Sequence, residues 1–291
     1  NLRVLKPGSR WLPWIGGLDF TFWKLTMKKA LPFGLSAFFV MLYFWVDSVM
    51  LSVMKGDEVV GWYNAAYRIV LVFMLIPAAV VNALFPVISR YFKTSSEDLI
   101  AMYEKAFKYL VMTGLPIGVG VSFFAPGIIL VVFGPSYNPA VPALQVLIWA
   151  GVLVFPTTLF GTVLASIDRQ SLGMYSVGLC ALMNILLNMI FIPRFSYLGA
   201  SYATLITEGL GFMVQYWFLS KHLHTINLPK TCWVPALASS LMFLVLFLFS
   251  MYNTGLLITV GIVIYCATVY FLKGVNQEEL AMFHKIFKTA A

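Results

Sequence analysis

Long apolar runs separated by short polar breaks dominate the pattern along the chain. Apolar stretches of about 20 residues, enough to cross a roughly 30 Å hydrocarbon core, recur along almost the whole length. The runs and their breakers predict eight helices, near residues 28–54, 59–92, 97–133, 139–166, 171–192, 197–220, 232–252 and 254–273. The sequence therefore predicts an all-α, polytopic membrane helix bundle with eight transmembrane helices.

The third predicted helix begins with an amphipathic segment. Ser95 and Asp98 form a capping box at its start, and Gly134 ends it. Its first turns place an apolar stripe opposite Glu104, Lys105 and Lys108, and the stripe consists of Leu99, Met102, Tyr103, Ala106, Phe107 and Leu110. We therefore expect these first turns to lie on the membrane surface.

Composition agrees with a membrane protein. Of the residues, 61% are hydrophobic and 10% charged, whereas a soluble domain carries roughly 25% charged residues. The net charge of +8 is spread between apolar runs and does not form one basic patch, which argues against nucleic acid as a partner. Cys180, Cys232 and Cys266 lie in or beside apolar segments without metal-binding or CxxC spacing, so no metal or cofactor is predicted.

The basic residues predict the orientation of the spans. Of 19 Lys and Arg residues, 16 lie in alternate connections and in the two ends of the chain, while the opposite connections hold Lys55 and Arg194. The positive-inside rule therefore places both termini in the cytoplasm, with the chain in the cell (plasma) membrane. The chain starts with Asn1 and shows no signal sequence, so we expect it to be a piece of a longer protein.

Three ionisable residues lie inside predicted spans: Asp47, Arg68 and Glu208. Each would cost about 2.5–3.5 kcal/mol at mid-bilayer if it faced lipid, so each should face a protein or water-filled interior. Asp47 and Arg68 lie at similar estimated depths on adjacent helices, and an ion pair between them is feasible. This pair either fixes the packing of a helical hairpin or makes Arg68 an anchor for an anionic or sugar-bearing substrate. Glu208 is either a hydrogen-bonded structural residue or a carboxylate that exchanges a cation.

Polar amide side chains mark two further helix faces. Asn64 and Asn82 share one direction on the second helix, and Arg68 lies about 40° away, which predicts one polar, substrate-binding stripe. Asn184 and Asn188 are spaced i, i+4 on the fifth helix. Interhelical hydrogen bonding, the usual role of such groups in membranes, is the favoured interpretation of this pair.

The sequence contains no pattern of catalytic residues. His222, His224 and His284 lie outside the predicted spans, and GxSxG, HExxH, P-loop and GxGxxG motifs are absent. The sequence therefore predicts that the protein is not an enzyme.

Several segments carry recognisable motifs in a fixed order. The run NILLNMIFIPRFSYLGASYA at 184–203 resembles the N-x-x-x-N, IP and GAxxA segment typical of the polysaccharide-transporter branch of the multidrug/oligosaccharidyl-lipid/polysaccharide exporter superfamily. The run VDSVMLSVMKGDEVVGWYNAAYRIV at 46–70 resembles the opening hairpin of its second lobe. LFPVISRYF at 84–92 and VFGPSYNPA at 132–140 resemble two of its helix ends.

The resemblance implies an architecture of two six-helix lobes around a central cavity. Residues 28–222 would then be the second lobe of a 14-helix transporter, residues 223–273 two additional transmembrane helices, 1–27 a cytoplasmic basic lead-in and 274–291 a cytoplasmic amphipathic tail. The first lobe of the same transporter would be a missing partner. Asp47, Arg68 and Glu208 would mark the surface that faces it.

The resemblance also implies a function. A polyprenyl-pyrophosphate-linked oligosaccharide would be flipped from the inner to the outer leaflet by alternating access, with membrane lipids and glycan assembly enzymes as further partners. Arg68, with Asn64 and Asn82, would bind the substrate, and Asp47 and Glu208 would serve ion coupling or charge balance. The alternatives are a cation-coupled multidrug-type antiporter of the same superfamily and, less favoured because the loops are short, a membrane glycosyltransferase or ligase.

Overall fold

The computed structural model describes residues 20–251 and 253–275. These residues form an all-helical bundle without strands, and every α-helix in it is long and apolar enough to cross a membrane. The α-helices are α1 (Phe20–Lys55), α2 (Asp57–Thr94), α3 (Ser96–Phe133), α4 (Ala140–Ser166), α5 (Gln170–His222), α6 (Leu228–Leu248) and α7 (Thr254–Phe271), with a 3-10 turn at Pro135–Tyr137. The prediction of a polytopic membrane helix bundle is confirmed.

The helix α5 is a hairpin of two arms, which correspond to the fifth and sixth predicted helices. It contains 53 residues, and its backbone leaves helical geometry at Ser196, where φ is 54° and ψ is −136°. The thiol of Cys180 lies 3.5 Å from the carbonyl oxygen of Thr207, although a straight helix would separate these residues by about 40 Å. The arms 170–195 and 197–222 are therefore antiparallel, and each is long enough to span the membrane.

A close backbone approach forms the α5 turn. A Cβ at Gly199 would lie 2.4 Å from the carbonyl oxygen of Phe191, so only glycine leaves room for the two arms to meet here. Ser196 adopts a positive φ that favours glycine over residues with a side chain. The turn thus requires glycine at position 199 and holds Ser196 in an unfavourable backbone conformation.

The first helix extends further than the sequence pattern predicts. It begins at Phe20, eight positions before the predicted start at 28, because apolar and aromatic residues such as Phe22 and Trp23 continue the helical segment. Residues 20–27 of the predicted lead-in are thus helical. Residues 1–19 and 276–291, with most of the predicted lead-in and tail, lie outside the described residues.

The helix α4 forms the centre of the bundle and contacts α2, α3 and α5. Its side chains are divided between two cores, with Leu144 and Leu147 in one and Leu159 and Phe160 in the other, all fully buried. The helices α6 and α7 pack on each other and attach along α3. This arrangement leaves α6 and α7 as an addition on one side of the bundle.

The amphipathic start of α3 packs into the protein and not onto the membrane surface. Tyr103 and Phe107 are at most 1% exposed, and Phe107 stacks on Phe160 of α4 with 5.7 Å between ring centroids. The predicted surface position is wrong, because an apolar stripe of this period fits a protein core as well as a bilayer surface. The opposite, charged side of these turns remains exposed.

The ends of the bundle are named here by one residue each. The Gly56 face carries the α1–α2 turn, the α3–α4 turn and the turn within α5. The Lys230 face carries the α2–α3, α4–α5 and α5–α6 connections and the end of α7.

Candidate functional site

A buried carboxylate lies where α1, α2 and both arms of α5 meet. Asp47 is 4% exposed, although it lies inside a membrane-spanning segment of α1. Its position in the interior of the bundle contradicts the expectation that it lies on a surface facing a second lobe. A charge removed from water in this way must be balanced by hydrogen-bond donors or a counter-ion.

Three side chains donate hydrogen bonds to Asp47. The Tyr63 hydroxyl donates to Oδ2 at 2.7 Å, the Thr204 hydroxyl to the same oxygen at 2.8 Å, and Asn188 Nδ2 to Oδ1 at 2.5 Å. Asn188 Nδ2 also lies 2.9 Å from Asn184 Oδ1. We call these five residues the Asp47 cluster. They connect four helical segments through one carboxylate.

The Asp47 cluster has the donor atoms that a small hard cation requires. Carboxylate, carboxamide and hydroxyl oxygens are the ligands that such cations prefer in proteins. Asn188 Oδ1 is buried and has no hydrogen-bond partner among the described residues, so it leaves an acceptor beside the carboxylate. The described residues contain no group of three or more His, Cys, Asp and Glu side chains placed to hold a metal. The cluster thus combines one carboxylate with carboxamide and hydroxyl oxygens in the interior of the bundle.

A second carboxylate lies one helical turn along the same interface. Glu208 accepts a hydrogen bond from the Tyr43 hydroxyl at 3.0 Å, and that hydroxyl also lies 2.8 Å from Thr207 Oγ1. Glu208 follows Thr204 by four positions, and Tyr43 precedes Asp47 by four. The two acidic residues thus lie on one polar seam between α1 and the second arm of α5, about 6 Å apart along the helix axes.

The ion pair between Asp47 and Arg68 does not form among the described residues. The helix α2 begins at Asp57, directly after the one-residue Gly56 turn, so Tyr63 is level with Asp47, each eight positions from Lys55. Arg68 lies about 8 Å further along the helix than Tyr63 and about 140° around it. The pair fails mainly because Arg68 lies on another side of α2 from Tyr63, which contacts Asp47.

Arg68 instead lines an open cleft near the Gly56 face. The cleft has a volume of about 280 Å³, and its lining residues are Asp57, Val60, Gly61, Asn64, Ala65, Arg68, Phe133 and Tyr137. Arg68 is exposed, whereas Asn64 is half-buried and accepts a hydrogen bond from Ser48 Oγ at 2.9 Å. We call this space the Arg68 cleft. It joins two of the three residues predicted to bind substrate.

Asn82 lies apart from the Arg68 cleft. It is exposed on the same helix, 14 positions after Arg68, which corresponds to about 21 Å along the axis. The predicted polar stripe thus extends along α2, but its members do not converge on one pocket.

Two tyrosines that contact the carboxylates were not among the predicted site residues. Tyr63 and Tyr43 are aromatic residues within apolar segments, where composition favours a packing role. The i, i+4 spacing of Tyr43 and Asp47, and the equal distances of Asp47 and Tyr63 from Lys55, are the signals that identify them. The second signal requires the helix boundary to be known to within one residue.

The amino-acid sequence is similar to one protein family and to proteins named as probable flippases. Residues 18–92 match the family described as Polysaccharide biosynthesis protein. A probable flippase, AglR of Haloferax volcanii, is 28% identical over 190 residues, which cover 64% of this chain and 40% of that protein. A probable low-salt glycan biosynthesis flippase, Agl15 of the same organism, is 24% identical over 61% of this chain and 38% of that protein. The chain thus spans about two-fifths of these relatives.

The fold matches a solved flippase structure. The inward closed conformation of the lipid II flippase MurJ superposes with a TM-score of 0.74 at 16% identity, over 88% of this chain and 56% of that chain. This match defines the class of fold as a multi-pass helical bundle of the kind found in membrane flippases. Together with the sequence matches, it supports the resemblance of this chain to the polysaccharide-transporter branch of the multidrug/oligosaccharidyl-lipid/polysaccharide exporter superfamily.

Proposed function

We propose that the full-length protein flips a polyprenyl-pyrophosphate-linked oligosaccharide from the inner to the outer leaflet of the cell membrane by alternating access. Residues 28–222 form its second six-helix lobe and 223–273 two additional helices, with a first lobe as the structural partner. Both ends of the present chain lie in the cytoplasm, and glycan assembly enzymes act before and after the transport step. The relatives named as flippases support this proposal.

The observation that carries the proposal is the exposed Arg68 within a membrane span. An arginine at this depth is too costly to face lipid, so its surface borders a water-filled cavity or another part of the protein. A guanidinium binds phosphate and carboxylate oxygens in bidentate geometry. Arg68 and Asn64 therefore contact the pyrophosphate or an acidic sugar of the substrate. Asn82 contacts another part of the same substrate, further along α2 toward the Lys230 face.

The polar seam supplies the coupling element in this proposal. Asp47 and Glu208 each bind or release a cation or proton, and binding at Asp47 changes the hydrogen bonds that join α1, α2 and the two arms of α5. Helices that share one carboxylate can shift together when its partner changes. The transport step involves no bond-making or bond-breaking, so the protein is not an enzyme.

The proposal is tested by reconstituting the full-length protein into liposomes that contain a labelled polyprenyl-pyrophosphate oligosaccharide. The measured quantity is the rate at which the sugar becomes accessible to a membrane-impermeant lectin on the opposite side. We expect protein-dependent exposure that Arg68→Ala lowers at least tenfold. Ethidium efflux from the same liposomes, without sugar exposure, would instead identify a multidrug-type antiporter.

A further inference from the structure

A basic cleft on the Lys230 face lies outside the Asp47 cluster and the Arg68 cleft. It has a volume of about 560 Å³, and four lysines from three separate segments line it, namely Lys105, Lys108, Lys230 and Lys273. We call it the lysine cleft. Its single lining carboxylate, Glu104, lies 3.0 Å from His224 Nε2, which offers it a partner within the protein. Lys105, Lys230 and Lys273 are exposed, and they give the cleft its positive charge.

The lysine cleft lies at the ends of two membrane-spanning helices. Lys230 and Lys273 stand at the start of α6 and just beyond the end of α7, so the cleft lies where these two spans leave the hydrocarbon. Its walls include the buried Val234 and Pro235, and Trp233 at its rim is 50% exposed. Tryptophan is enriched at this level of membranes, where an apolar ring meets polar headgroups.

Lys273, which lines the cleft, has a backbone conformation that favours glycine. Lys273 N–H donates to Tyr270 O at 3.0 Å and Gly274 N–H donates to Val269 O at 2.8 Å, which is the Schellman pattern of a helix end. Lys273 occupies the left-handed position of this motif with φ of 53°, where glycine is strongly favoured. A lysine here costs stability and places an ammonium group on the cleft.

The neighbouring glycine fixes this helix end against α6. A Cβ at Gly274 would lie 2.9 Å from a Val234 methyl carbon and 3.0 Å from one of Val269. The end of α7 is therefore packed directly on the first turns of α6. This contact holds Lys273 and Lys230 on one cleft, so their charges act on the same ligand.

We propose that the lysine cleft binds the phosphate-bearing headgroup of an anionic phospholipid from the leaflet on the Lys230 face. Three features favour a lipid over a soluble anion: the level of the cleft at the ends of two spans, its apolar lining residues, and the exposed Trp233 beside it. Each lysine near an anionic surface contributes about a fivefold change in affinity. The site is independent of the transported substrate and serves membrane anchoring of α6 and α7.

The test is native mass spectrometry of the purified full-length protein with phosphatidylglycerol or phosphatidylcholine. We expect selective retention of phosphatidylglycerol, and Lys230→Gln with Lys273→Gln should weaken it about 25-fold. The matched control is Lys24→Gln with Lys93→Gln, since both lysines are exposed in segments on the Lys230 face and neither lines the cleft. Lys105→Gln, at an exposed position, gives a second variant if the double substitution prevents folding.

Lys273 provides an internal check. Lys273→Gly should raise the melting temperature in detergent, because glycine tolerates the positive φ, and should lower phosphatidylglycerol affinity about fivefold. Equal binding of the two phospholipids, or equal loss in the control and cleft variants, would overturn the proposal. Displacement of phosphatidylglycerol by millimolar inorganic phosphate would show that the cleft selects a soluble anion, which also overturns the lipid assignment.

Discussion

Asn188 on the first arm of α5 donates a 2.5 Å hydrogen bond to Oδ1 of Asp47 on α1, in the interior of the bundle. The other oxygen of the same carboxylate accepts from Tyr63 on α2 and Thr204 on the second arm of α5. One acidic side chain thus holds four helical segments in register. The packing of these helices therefore depends on the hydrogen bonds that the Asp47 carboxylate accepts.

Asp47→Ala is expected to destabilise the protein, because it removes the acceptor that Tyr63, Thr204 and Asn188 share and leaves the buried Tyr63 hydroxyl with only Thr204 Oγ1, 3.4 Å away. The cost should be about 1–3 kcal/mol, measured as a lower melting temperature or denaturant midpoint in detergent. Asp47→Asn keeps one acceptor oxygen, so it should lose less stability and yet remove the dependence of transport on an ion gradient. Glu58→Ala, at an exposed acidic position of α2, is the matched control. An unchanged melting temperature for Asp47→Ala would contradict the structural role.

Arg68→Ala is expected to impair transport without loss of stability, because its side chain is exposed and contributes little to packing. Sugar exposure in liposomes should fall at least tenfold. The free energy of unfolding, followed by the melting temperature, should change by no more than about 0.5 kcal/mol. Arg194→Ala serves as control, since Arg194 is also exposed but lies beside the α5 turn and outside the Arg68 cleft. Equal transport by both variants would remove Arg68 from the substrate path.

Gly199→Ala is expected to disrupt the α5 hairpin, because the added methyl would lie 2.4 Å from a backbone oxygen. The change should destabilise the protein by several kcal/mol, in the range of overpacked sites, as seen in a thermal melt. Gly173→Ala, in the same helix with open space around it, should be neutral or stabilising by about 0.5–1 kcal/mol. A similar effect of both changes would show that the close approach is not needed.

Ser196→Gly is expected to stabilise the same turn. A residue with a side chain at this φ and ψ costs about 1–3 kcal/mol, and glycine removes most of that strain. The gain should appear as a higher melting temperature, and Ser196→Val should have the opposite sign. A lower melting temperature for the glycine variant would indicate that the serine side chain has a role beyond the turn.

The proposed orientation predicts which positions are reached from outside the cell. In a protein without native cysteines, Ser136→Cys on the Gly56 face should react with a membrane-impermeant maleimide in intact cells. Thr225→Cys on the Lys230 face should react only after permeabilisation, because the positive-inside rule places the basic connections in the cytoplasm. Both positions are exposed, so the reverse labelling pattern would invert the topology.

The sequence alone predicted the spans for two reasons. A segment that crosses a bilayer must satisfy its backbone hydrogen bonds internally, as a helix does, and its side chains must be mostly apolar. This requirement acts locally, so the apolar runs locate every helix, and the break between the fifth and sixth runs corresponds to the turn at Ser196. It also predicted that Asp47, Arg68 and Glu208 avoid lipid, and of these three Asp47 is buried in the bundle whereas Arg68 is exposed. Ordered motifs added a resemblance to a transporter family, which the family match and the relatives support.

Only the tertiary structure decided which polar groups meet. A one-residue turn at Gly56 brings Asp47 level with Tyr63 and leaves Arg68 on another side of α2, a distinction that depends on helix register and rotation. The amphipathic start of α3 likewise packs on α4, because hydrophobic periodicity does not specify whether protein or lipid covers an apolar stripe. The apolar pattern along the chain determines where the helices lie. Which side chains form hydrogen bonds between helices depends on the helix register, to within one residue, and on the rotation of each helix.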